Sequence, residues 1–94
     1  MPTIDLLPST LDEALRLLAS AVPALEQAAI AAMPKDDLIQ LHFGLGMWIR
    51  NTLGLWGTNV ELLRATGSRT ADQASQVIIE AFWRRLRNER PWLQ

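Results

Sequence analysis

Residues 36–53, DDLIQLHFGLGMWIRNTL, decide the fold class. Their apolar positions do not alternate, which excludes a half-buried strand, and they recur at helical spacing. At 100° per residue Leu38, His42, Leu45, Ile49 and Leu53 share one arc, while Leu41, Phe43, Met47 and Trp48 cover much of the rest. A helix that is apolar nearly all round is a central, buried one, so this stretch predicts the core helix of an all-α domain. Gly44 and Gly46 inside it each cost about 1 kcal/mol relative to Ala. The return expected for that cost is close approach of another helix or of a bound backbone. His42 lies within the apolar arc and Arg50 on its margin, and neither is buried cheaply without a partner.

Outward from this helix the chain punctuates itself. Leu11, Leu15, Leu18 and Val22 repeat at four, three and four, with Asp12, Glu13, Arg16 and Ser20 on the other side. Thr10 with Glu13 forms a capping-box pattern that places the first helix start. Pro23 suits the first turn of a second, Ala-rich helix, and Pro34 ends it. Asp36 and Asp37 favour the N-terminus of the third. Gly54 and Gly57 bracket a tight connection. Thr58 with Glu61 predicts the cap of a short helix that Gly67 terminates, and Thr70 with Gln73 opens a final helix that Pro91 stops. The pattern is a single compact bundle of about five helices spanning residues 1–94, with residues 1–9 and 91–94 as tails.

The final helix carries Asp72 and Ser75 on the same arc as Ile78, Ile79, Phe82 and Leu86. An acid on an apolar face near a helix N-terminus is stabilised by the dipole and by a cation opposite. His42, Arg50, Asp72 and Ser75 are therefore expected to form a mostly buried polar cluster between the third and last helices. Removing Asp72 from a desolvated pair with Arg50 would cost about 3–5 kcal/mol. Networks of this kind are more often structural than chemical.

Composition excludes several classes. The chain has 94 residues, no Cys and one His, so a disulfide framework and a transition-metal site both lack ligands. No apolar stretch reaches the roughly 18 residues of a membrane span, and the start, MPTIDLLPST, has no basic residue of the kind a signal peptide needs. A cytoplasmic domain without cofactor or metal is the residual reading. The net charge of −1 is divided unevenly, −4 over residues 1–47 and +3 over residues 48–94. Eight of the nine basic residues are Arg and there are four Trp, the residue types that dominate interface hot spots.

The run His42-Phe43-Gly44-Leu45-Gly46-Met47-Trp48-Ile49-Arg50-Asn51, followed by Leu55-Trp56-Gly57 and later by Asp72 and Ser75, resembles the signature of a small bacterial family of unknown function. The resemblance spans roughly residues 9–90 and implies an all-helical bacterial domain with no assigned activity to carry over. In that family the late motif is usually His-Pro and then Asp-Asp-x-Ser. Here it is Thr70-Ala71-Asp72-Gln73-Ala74-Ser75, without the His, the Pro or the second acid.

Three function classes remain. A protein-binding module fits best, most concretely an immunity or antitoxin-like protein that neutralises a protein toxin. Self-association of the acidic and basic halves is a further form of the same class. The expected contact surface is Trp83, Arg84, Arg87, Arg90 and Trp92 on and beyond the final helix, with Trp92 folding back over the helix end as the competing reading. Nucleic-acid binding through the same Arg and Trp residues comes second, diluted by Glu80 and Glu89 and by the slightly acidic total. A small enzyme using Ser75, His42 and Asp72 comes third, because one residue of each type in any core would permit it. No catalytic residue is assigned.

Overall fold

In the computed structural model, residues 7–89 are described. Pro91 and the tail at 91–94 lie outside them, as do two of the proposed contact residues, Arg90 and Trp92. The described chain is all-α, with helices α1 (Leu11–Ala21), α2 (Ala24–Ala32), α3 (Met47–Thr52), α4 (Val60–Ala65) and α5 (Ala71–Glu89). The segment leading into α3 is helical but not α: a 3₁₀ stretch, Lys35–Leu41, passes into a π turn, His42–Gly46.

The local signals act as read at two of three starts. Thr10 Oγ1 accepts the Glu13 N–H at 3.1 Å, and Thr70 Oγ1 accepts the Gln73 N–H at 3.1 Å. The reciprocal bonds reach one residue further out than a standard box, from the backbone N–H of Ser9 to Glu13 and of Arg69 to Gln73. At α4 the cap is Asn59, not Thr58. Asn59 Oδ1 accepts the Leu62 N–H at 3.1 Å while its Nδ2 donates to the carbonyls of Pro8 and Leu53. An amide can do both and a hydroxyl has a single proton to give, which is why this three-way junction takes Asn. The same bond ties down Pro8, which is buried, so the N-terminal tail does not extend to residue 9. Gly67, at φ +71°, closes α4: its N–H bonds the Arg64 carbonyl and the Ser68 N–H bonds that of Leu63, a Schellman motif.

The expectation that residues 36–53 form the central buried helix is corrected. That position belongs to α5, which packs against α1, α2, α3 and the 3₁₀ and π segments. Its Ile78, Ile79, Phe82 and Leu86 meet Leu18, Ile49, Leu53 and Leu62 in one core. Residues 35–52 instead lie along one side of the molecule. Leu38, Ile49 and the backbone of Gly46 face the core, with Leu41 and Leu45 half-buried beside them, while Ile39, Phe43, Met47 and Trp48 face solvent. A wheel drawn at a constant 100° already sets these two groups on separate arcs. What it misplaces is Arg50, which it puts between Ile39 and Phe43 although the side chain is buried, because the segment winds as 3₁₀ and then π before α3.

Neither α1 nor α2 has a basic residue in its last turn, and their exposed carbonyls are met from elsewhere in the chain. Gln27 is buried and donates from Nε2 to the carbonyls of Ala19 and Val22, closing α1. Trp83 Nε1 donates to the Met33 carbonyl at 2.8 Å and Arg87 to that of Ala31 at 2.8 Å, closing α2 from α5.

Candidate functional site

Two places on the molecule hold the residues singled out by sequence. The first is the Arg50 cluster. Arg50 is 3% exposed. It donates from Nη1 to Ser75 Oγ at 3.0 Å and from Nη2 to the His42 backbone carbonyl at 3.1 Å. Its Nε stands 3.4 Å from Asp72 Oδ1, within ion-pair range but without hydrogen-bond geometry. The Arg50 guanidinium also lies 5.9 Å from the Trp56 ring. Gly46 makes this possible, because a Cβ there would stand 3.0 Å from Arg50 Nη1 and 3.3 Å from the Leu41 carbonyl. The close approach expected of the glycines therefore holds at Gly46 and fails at Gly44, where a Cβ would meet nothing within 4 Å.

The cluster differs from the expected one in two members. The Asp72 side chain is 62% exposed, so the pair is a buried guanidinium with its carboxylate at the surface. His42 contributes its carbonyl and not its ring. The imidazole packs edge-on against Phe43 at 4.9 Å, and its buried Nδ1 has no hydrogen-bond partner. Ser75 Oγ donates to the Asp72 carbonyl at 2.9 Å while accepting from Arg50. Its proton is thus held by a backbone oxygen and no base is placed to take it, so Ser75, His42 and Asp72 are not assembled as a nucleophile, base and orienter. The arrangement ties Arg50 of α3 to Ser75 and Asp72 of α5.

The second place is the Arg and Trp stretch of α5. Trp83 is half-buried against the core and spends its N–H on Met33; Arg87 stacks on the Trp83 ring at 5.0 Å while closing α2. Arg84 pairs with Glu80 at 2.6 Å, and Arg85 with Asp12 of α1 at 2.7 Å. The hydrogen bond from Arg85 holds the Asp12 carboxyl below its ordinary value of 3.8 against the opposing effect of desolvation, with the charges of Arg16 and Arg85 adding to it. Of the expected aromatic–Arg contact residues, Trp83 and Arg87 have internal duties, because the carbonyls at the end of α2 would otherwise be unmet; Arg84 is exposed, and Arg90 and Trp92 lie outside the described residues.

The feature the sequence reading missed is the solvent face of residues 35–52. Ile39 is 61% exposed and Phe43 79%, and Met47 continues the row at a spacing of four, with Trp48 alongside. Beside the row, Gly44, Leu45 and Trp48 form one wall of a groove of about 340 Å³, and Val22, Pro23 and Glu26 form the other. The signal that could have located it was the helix being apolar all round in so small a domain. One helix of a five-helix bundle this size cannot be covered on every side. Among the described residues no group of His, Asp or Glu is placed to hold a metal ion, and no helix is long and apolar enough to cross a membrane.

Residues 7–86 match the family model of a domain of unknown function, DUF6794, and the chain belongs to that family. Neither the curated proteins nor the solved structures hold a match to it.

Proposed function

We propose that this DUF6794 domain is a non-catalytic protein-binding module, and that its contact surface is the row Ile39, Phe43 and Met47 with Trp48. One observation carries the reading: four large apolar side chains face solvent on a single helical segment, although the core has room for the opposite face alone. Exposed apolar patches on small domains mark interaction sites. The π turn beneath them supports the same reading, since such turns concentrate at functional positions. The engagement of Arg84, Arg85 and Arg87 with partners inside the molecule favours this reading over nucleic-acid binding through α5. Neutralisation of a protein toxin is the narrower form of the proposal.

A photo-crosslinking residue tests it. Placed at Phe43 in cells, it yields discrete protein adducts that Trp48→Ser abolishes, while the same residue at Arg84 yields none. Adducts from position 84 and none from position 43 would move the interface to α5. For the narrower form, the chain restores growth when co-expressed with a toxin encoded beside it, and Phe43→Asp removes that protection.

A further inference from the structure

The charges around the apolar row are mostly acidic. Asp36 and Asp37 stand at the start of the 3₁₀ stretch, and Glu26 lines the groove. The nearby base, Lys35, leans the other way and pairs with Glu80 of α5 at 3.7 Å. Arg50, within the same segment, points inward to Ser75. Three acids, Glu26, Asp36 and Asp37, thus stand against one exposed base, Lys35, which is drawn toward Glu80. A second copy presenting the same face would bring acids to acids, so self-association through it gains no counter-charge.

The geometry sets the shape of the occupant. From Ile39 to Met47 the row runs eight residues, on the order of 12–16 Å between the α and 3₁₀ rises. That is the reach of two to three turns of a partner helix. Gly44 leaves its wall of the groove open, since a Cβ there would touch nothing. An apolar side chain arriving between Trp48 and Pro23 has space to seat, and a base one turn away from it would meet Glu26. This is helix-in-groove recognition with an acidic border.

Resting on the protein-binding reading above, we infer that the face receives a basic amphipathic helix of a partner protein. One apolar anchor of that helix sits over Gly44 against Trp48, and its Lys or Arg residues face Glu26, Asp36 and Asp37.

The test titrates the full chain with a 14-residue helical peptide carrying Leu at i, i+3, i+4 and i+7 and Lys elsewhere, and with the same peptide carrying Glu for Lys. Calorimetry gives the affinities and sedimentation the state of the chain alone. The Lys peptide binds at least about tenfold more tightly than the Glu peptide, and the gap narrows as salt rises. Gly44→Leu fills the groove and weakens binding about tenfold or more without lowering the melting temperature, because Leu is the better helix former. Asp36→Lys with Asp37→Lys shrinks the preference for the Lys peptide.

Equal binding of both peptides, blocked by Gly44→Leu, overturns the charge assignment and leaves the protein-binding reading standing. A chain that sediments as a dimer dispersed by Phe43→Asp, and binds neither peptide, makes a second copy the occupant and overturns the inference. Uptake by neutral phosphatidylcholine vesicles, abolished by Phe43→Asp with neither peptide bound, overturns both readings in favour of a membrane surface.

Discussion

The α5 stretch from Trp83 to Arg87 and the segment from Ile39 to Trp48 exchange roles between sequence and structure. The first has the composition of an interface, and most of it works inside the molecule. The second has the composition of a core helix, and half of it faces solvent. What separates them is the demand made by the rest of the chain. Helix α2 ends with carbonyls that nothing local satisfies, and α5 passes close enough for Trp83 and Arg87 to meet them. Nothing makes a matching demand on Phe43 or Met47, because the core is already closed by α5 from the other side. Composition describes what a residue is able to do; the unmet groups around it decide which of those things it does.

That contrast is most exposed to test at Trp83. Trp83→Ala removes half-buried core surface and the bond to Met33, and is expected to cost about 3 kcal/mol, a fall in melting temperature of roughly 12–24 °C for a domain of this size. A melt within 2 °C of the parent, on the order of measurement error against that shift, would return Trp83 to the list of contact residues. Next comes Arg87→Ala, which strips the Ala31 carbonyl of a charged donor and the Trp83 ring of its cation. About 1.5 kcal/mol is expected, and amide exchange in the last turn of α2 should quicken. Unchanged protection there would break the claim that α5 closes α2.

The joint between the two regions is Arg50 with Asp72. Because the carboxylate is largely exposed, Asp72→Ala should cost no more than about 1 kcal/mol, well short of the about 3–5 kcal/mol of a fully desolvated pair. Denaturant melts that give the larger figure would show Asp72 closing over Arg50 in solution. On the solvent face, Phe43→Ser should change stability by no more than about 0.5 kcal/mol while abolishing any adduct formed through Trp48. A large loss of stability would mean that Phe43 is core after all.

The mildest effect is on the clasp between Asp12 and Arg85. Asp12 is held below its ordinary value of 3.8, so its contribution is complete above that value and is lost as pH falls through the lower folded one. An acid titration of the parent and of Asp12→Asn should therefore converge at low pH, with the parent the more stable above about pH 4–5, about one unit beyond the unfolded carboxylate value. Parallel curves would remove Arg85 from the set of internally engaged arginines.

Helix existence and most helix ends were legible because their causes are local. A cap joins residues three or four apart, and a Pro or Gly stop acts on its own backbone, so Thr10, Pro34, Gly67 and Thr70 announce themselves in order along the chain. The cap at α4 escaped because its selection is not local: Asn59 is chosen over Thr58 by the carbonyl of Pro8, 51 residues away in sequence. Half of the polar cluster could be read, since Ser75 lies on the apolar arc of α5 by periodicity and Arg50, on the margin of its own arc, needs a partner if it is buried. The exposure of Asp72 and the orientation of the His42 ring could not, because both depend on how α5 and the π turn lie against each other.

The same distance in sequence explains the exchanged faces. By itself the chain determined an all-α domain, the order of its helices and which residues have the chemistry to be buried or to bind. Only the tertiary structure decided that α5 takes the centre, that Trp83 and Arg87 serve Met33 and Ala31 from 50 and 56 residues away, and that Phe43 is left outside. A helix can bury about half its surface against one neighbouring layer, and which half is settled by packing and by unpaired carbonyls on other helices, neither of which a single helical wheel contains.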